Sequence, residues 1–207
     1  MRSSSFWPPR RTRDRIAAEL YQKRNPDVPW LGQPAIAALS DLLRPTDRCL
    51  EWGSGTSTAW LCRRVASITS AEHDPAWFER VRSLLDQDGL RTGVVRLLST
   101  DPQEEPSASP YVRLIDEFAD GELDVCYVDG EHRAACITAA LPKLASGGML
   151  VLDDAHGFLD HETVSPHSRQ GLGPLDLDWA SFEELVSDWR LLWTSDGFSD
   201  TAIWFKP

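Results

Sequence analysis

The 207-residue chain lacks any apolar run near the roughly 18 residues that would cross a bilayer, so no membrane segment is expected. Its first residues, MRSSSFWPPRRTRDR, carry charge with no apolar stretch behind them. They do not read as a secretory signal, and the expected location is the cytoplasm. Cysteine is sparse: Cys49, Cys62, Cys126 and Cys136, none in C-x-x-C spacing, which excludes a zinc ribbon or a thioredoxin motif. Two lie in apolar runs and two at helical positions, as buried free thiols do in a reducing compartment. Positive charge is also short, with 21 Lys and Arg against 32 Asp and Glu and a net charge of −11. The first fifteen residues are basic, with five arginines against Asp14, so the rest is more acidic still. Such a body repels a phosphate backbone, and nucleic acid is not an expected partner. There is no internal repeat, and nothing decides between a monomer and a homo-oligomer.

What is present is a rhythm. Short β-rich runs alternate with longer helical stretches, the pattern of a parallel sheet with crossover helices. Residues 10–23 read as an amphipathic helix ended by Asn25-Pro26, and residues 34–43 as a second, with Pro34 in its first turn. Strands are expected over 48–51, 68–72, 94–98, 125–129 and 149–153. Helices over 57–65, 75–85, 112–118 and 133–144 lie between them, the last leaving through Gly147-Gly148. The runs VCYV and MLVL are continuously apolar, as central strands covered on both faces are. Residues 155–180 break the rhythm with clustered Gly and Pro and with His156, His161 and His167. A loop that long in a compact domain is a candidate lid over an acceptor site. A helix over 181–188 and two strands over 190–194 and 201–205, turning at Asp196-Gly197, close the chain. The expected fold class is α/β: a Rossmann-like, seven-stranded, mostly parallel sheet with an antiparallel closing hairpin and helices on both faces. Residues 1–45 are expected to be a basic tail with appended helices, and residues 46–207 the main domain.

The strongest local signal is Glu51-Trp52-Gly53-Ser54-Gly55-Thr56-Ser57-Thr58 at the first strand-to-helix turn. Glycine turns sharply and lets a ligand approach without a Cβ in the way. The helix that follows offers free N–H groups. Glu72 closes the second strand 19 residues after Gly53, where a carboxylate can accept from both hydroxyls of a ribose. A dinucleotide fits poorly. Thr58 stands where a pyrophosphate site needs its third glycine. Glu51, just before the turn, would repel a pyrophosphate but suit an ammonium group. A nucleoside with a ribose and a cationic amino-acid tail satisfies both carboxylates, and S-adenosylmethionine is such a ligand.

The turn, the acidic strand end at Glu72, the run DVCYVDGEH over 124–132 and LPKLASGGMLVLDD over 141–154 together resemble the class I S-adenosylmethionine-dependent methyltransferases. The resemblance implies that Glu51 takes the ligand's amino group, with Gly53, Gly55 and Ser57 against the ligand. It implies Glu72 on the ribose, His73 beside the adenine and Asp101 near the adenine amino group. The expected function is methyl transfer from S-adenosylmethionine to an oxygen of a small molecule. A non-catalytic nucleoside-binding module and an NAD(P)-dependent oxidoreductase of the same fold are the alternatives.

Asp129 ends the fourth strand, and Asp153 and Asp154 end the fifth, so three carboxylates are expected to converge in one crevice. Mg²⁺ or another divalent cation would relieve their repulsion and lower the pKa of an acceptor hydroxyl. This resembles the metal-dependent O-methyltransferases of the catechol and sugar types. Without a metal, the same aspartates would cap helices or bind the acceptor. Glu131, with His132 in reserve, is the expected proton acceptor beside Asp129.

Overall fold

The computed structural model of the chain describes Ile16, residues 20–101 and residues 103–207. Most of the helix expected over 10–23 lies outside the described residues. Its end is visible: residues 20–24 are helical, and the Asn25 amide donates to the Tyr21 carbonyl at 2.9 Å. Then follow α1 (Gln33–Leu42), β1 (Arg48–Trp52), α2 (Thr56–Cys62), β2 (Ser67–Glu72), α3 (Pro75–Gln87) and β3 (Gly93–Leu97). After β3 come α4 (Pro110–Arg113), β4 (Leu123–Val128), α5 (Arg133–Ala140), β5 (Leu144–Leu152), α6 (Leu177–Leu185), β6 (Arg190–Ser195) and β7 (Asp200–Phe205).

The seven strands form one sheet in the order β3-β2-β1-β4-β5-β7-β6. The first five run parallel, and β7 is antiparallel to both β5 and β6. This is the expected fold class, with the last strand of the hairpin inserted beside β5. The chain winds one way through β1, β2 and β3 and the other way through β4 and β5. The switch point lies between β1 and β4, where an open α/β sheet leaves a crevice at its carboxyl ends.

Alternation along the strands sorts the core into two layers. Leu50, Trp52, Cys126, Val128, Leu150 and Leu152 pack with α5 and α6 on one face. Cys49, Val125, Tyr127, Met149 and Val151 pack with α1, α2 and α3 on the other. The helix expected as an appendage, α1, buries Ala35, Ile36 and Leu39 in this second layer. All four cysteines are buried and free.

Two segments differ from expectation. Gly147-Gly148 is not a helix exit but lies inside β5, beside a register shift against β4. The left-handed Gly147, at φ +78°, lets the strand continue through that irregularity. The long segment after β5 is folded down rather than free. Asp160 accepts from the Gly171 and Gly173 amides at 2.7 and 2.9 Å. Arg169 donates to the Gly173 and Pro174 carbonyls, and α6 starts at Leu177 rather than near 181.

Candidate active site

The turn after β1 presses against the turn after β4. Gly53 has φ +95°, and a Cβ there would lie 2.8 Å from the Gly130 nitrogen. A Cβ on Gly130 would in turn meet the Tyr111 hydroxyl and the Gly53 nitrogen. The two glycines therefore bring the ends of β1 and β4 together at the switch point. Gly55 is different: it is extended, and an added Cβ would meet nothing closer than 3.6 Å.

Beneath the turn, Glu51 is fully buried. Its carboxylate accepts from Ser57 and Thr58, each at 2.5 Å, and from Ser70. Burial pushes its pKa up to about 7 although these hydroxyls pull it down. Glu51 and Ser57 are hydrogen-bonded to each other inside the protein and fasten α2 to β1 and β2; neither lines the two cavities described below.

Glu72 stands at the tip of β2, at the edge of a cleft of about 640 Å³. Its Oε1 accepts from the His73 and Asp74 amides at 2.8 and 2.9 Å, and its Oε2 from Ser54 at 2.8 Å. This fixes the carboxylate while leaving acceptor capacity on Oε2. Gly53, His73 and Asp129 share the cleft with Trp77 and Arg80 from α3. The Trp77 indole donates to the Ser54 carbonyl, and the Arg80 guanidinium sits 4.7 Å from its ring centre. Asp101 does not join them. It is exposed, and its Oδ1 accepts from the Gln103 amide of its own turn at 2.8 Å.

The three aspartates do gather at the ends of β4 and β5, but each is already engaged. Asp129 receives Arg133 Nη2 at 2.9 Å, Asp153 receives the Thr201 hydroxyl at 3.0 Å, and Asp154 receives the Ser199 hydroxyl at 2.9 Å. Arg133 also donates to the Gly130, Asp153 and Asp129 carbonyls, so its guanidinium ties the two strand ends together. Burial pushes Asp129 up to about 6, with Arg133 pulling down and the Asp154 charge pushing up. Burial and the same two neighbouring aspartates hold Asp153 well above the usual carboxylate range. The Arg133 guanidinium, which reaches both strand ends, offsets part of the crowding. Among the described residues no group of three His, Cys, Asp or Glu side chains is placed to hold a metal. The expected Mg²⁺ site at Asp129, Asp153 and Asp154 is not supported: each carboxylate already has a protein partner, and the Arg133 guanidinium stands at the strand ends.

Beyond Gly130 opens a second cavity of about 760 Å³. One wall is the start of α5, including Glu131, His132 and Arg133; the opposite wall holds Phe158, Asp178 and Trp179. Phe158 and Trp179 stack at 4.7 Å. Glu131 is exposed in both cavities. His132 takes a left-handed φ of 52° at the N-cap of α5, and its Nε2 is enclosed with no hydrogen-bond partner. The expected lid contributes only its two ends, Phe158 and residues 178–181, while its middle is tied back by Asp160 and Arg169. His156 is buried with Nδ1 accepting from the Asp200 amide at 3.3 Å, and His161 stacks on Trp193.

A methyltransferase-domain family profile matches residues 50–155, just over half of the chain and both turns of the site. The chain belongs to this methyltransferase family. No curated protein matches it by sequence. Solved structures of methyltransferases share its fold at low identity. A protein from Staphylococcus aureus, provisionally assigned as a caffeoyl-CoA O-methyltransferase, superposes with TM-score 0.58 at 14% identity, covering 95% of this chain and 100% of that one. A methyltransferase from Geobacter sulfurreducens gives 0.57 at 13%, covering 94% and 89%. SMU.1697c from Streptococcus mutans, provisionally assigned as a methyltransferase and solved with S-adenosylhomocysteine, gives 0.54 at 10%, covering 86% and 99%. The methyltransferase therefore has the class I fold that its sequence resembles.

Three contributors escape a reading of the sequence. Trp77 and Arg80 sit on a helix whose start is marked by Asp74, which caps the Trp77 amide, and by Pro75. That start aims the first turn back at the cleft. Arg133 lies four residues after Asp129, a spacing that pairs opposite charges across a helix start, and it was the available signal.

Proposed function

We propose that this methyltransferase transfers the methyl group of S-adenosylmethionine to an oxygen of a small molecule. The observation that carries the reading is the meeting of the two cavities. The cleft at Gly53, Glu72 and Asp129 and the larger cavity beyond it share Gly130, Glu131 and Arg133. Both volumes lie in the range of small-molecule sites. One holds groups suited to a nucleoside, and the other is open to an acceptor.

Glu72, preset by two backbone amides and Ser54, would hold the ribose hydroxyls, and His73 would flank the adenine. When bound, S-adenosylmethionine supplies a methyl group made electrophilic by its sulfonium charge. The Asp129 carboxyl lines the same cleft beside its bond to Arg133, and its negative charge would favour that sulfonium. Glu131, which borders both cavities, would take the proton of the acceptor hydroxyl. Most of the protein's contribution is positioning, worth up to roughly 7–11 kcal/mol in well-oriented systems.

Calorimetry with S-adenosylhomocysteine tests the cofactor half. Glu72→Ala is expected to weaken binding roughly 10- to 100-fold, the scale of about 1.5–3 kcal/mol for hydrogen bonds to a charged group. Unchanged affinity would remove the assignment.

A further inference from the structure

The acceptor cavity has a charge as well as a shape. Glu105, Glu131, Asp154 and Asp178 line it, and Arg133 is its one guanidinium. That cation is largely committed to the protein. Four of its five N–H donors are directed at protein, namely at the Gly130, Asp129 and Asp153 carbonyls and the Asp129 carboxylate, and its face lies 5.5 Å from the Phe158 ring centre. His132, the other nitrogen base of the wall, has its Nε2 enclosed. Among the described residues, four carboxylates thus line the cavity against one guanidinium that is largely bound to the protein. Much of the remaining lining is apolar, with Val112, Ala134, Ala135, Ala139 and the stacked pair Phe158 and Trp179, interspersed with the hydroxyls of Ser107, Thr138 and Ser181. A cleft lined by one sign of charge with low-dielectric walls concentrates the opposite ion by about 10- to 1000-fold. It disfavours an ion of its own sign by the same field.

We infer that the acceptor is a cationic amphiphile, an organic amine whose flat apolar body lies along the Phe158–Trp179 wall and whose ammonium group faces Asp154 and Asp178. The inference rests on the proposed reading of this cavity as the acceptor site. It separates this protein from acceptors carrying phosphate, such as coenzyme A thioesters, whose charge the wall repels.

The field can be read without the natural acceptor. Ala135→Cys places a thiol in the cavity wall, while the four native cysteines are buried and serve as the background. Its modification is timed with a cationic trimethylammonium methanethiosulfonate and an anionic sulfonate one, each normalised to a free thiol. The cationic reagent is expected to react at least about 10-fold faster. Adding Asp178→Asn should shrink that ratio several-fold and leave S-adenosylhomocysteine affinity unchanged, because Asp178 is outside the cofactor cleft. Dopamine, 4-ethylcatechol and 3,4-dihydroxyphenylacetate then serve as probes of one ring with three charges. With S-adenosylhomocysteine bound, the amine should bind tightest and the carboxylate weakest. Equal thiol rates, a faster anionic reagent or tighter binding of the carboxylate would overturn the inference. Loss of S-adenosylhomocysteine binding in the unmutated chain would instead strike the methyltransferase reading, so the two failures are distinguishable.

Discussion

At the scale of single residues, the motif's glycines and carboxylates carry structural work of their own. Gly53 is held by its backbone: φ is +95° and a Cβ would strike the Gly130 nitrogen at 2.8 Å. Gly53→Ala is expected to cost about 1–3 kcal/mol or more in unfolding free energy, whereas Gly55→Ala, at an extended φ with ordinary space, should cost far less. Urea unfolding of the two variants compares them directly, and equal losses would contradict the geometry. Glu51 makes a pH prediction. Its folded pKa of about 7 lies above its ordinary 4.5, so the folded protein keeps a proton that the unfolded chain has released between those values. The stability this contributes is fully present below about 4.5 and is lost as pH rises through about 7. Asp129 and Asp153, also raised, act in the same direction. Glu51→Gln should flatten the decline between pH 5 and 8 by up to about 3 kcal/mol. Urea midpoints at the two pH values would show an unchanged slope if Glu51 contributes nothing.

At the scale of elements, the segment between β5 and α6 is a wall with a tied-back excursion. Asp160 holds it through two glycine amides. Asp160→Ala should speed hydrogen exchange at Gly171 and Gly173 and open the segment to proteolysis. Affinity for S-adenosylhomocysteine should stay constant, since none of these residues lines the cofactor cleft. Unchanged exchange would mean that other contacts carry the tie. All seven strands were legible in the sequence, because apolar runs of central strands and Gly or Pro punctuation are local signals. The glycine turn, Glu72 and the Asp129 corner were legible for the same reason. The fates of Glu51 and the three aspartates were not. Whether a carboxylate faces a ligand or three hydroxyls depends on Ser70 and Thr201, which come from strands far along the chain. Asp101 was misplaced by a turn that its own side chain closes.

At the scale of the whole molecule, ligand binding at a switch point between two parallel halves stabilises the fold by mass action. S-adenosylhomocysteine at about 100 times its Kd adds about 2.7 kcal/mol. For a chain of this size that corresponds to a rise in Tm of about 5–10 °C. NAD, whose pyrophosphate meets no G-x-G-x-x-G turn here, is expected to leave Tm unchanged. A thermal shift series with both ligands checks this, and a shift with NAD would reopen the oxidoreductase alternative.

Gly130, Glu131 and Arg133 border both cavities around a left-handed bend at His132. Any adjustment that one occupant imposes on that bend is felt by the other. By linkage, the factor by which the first ligand changes affinity for the second equals the factor in reverse, typically 5- to 150-fold. The coupling between donor and acceptor would then pass through one turn of backbone, and a substitution at that corner would retune cooperativity between the two sites.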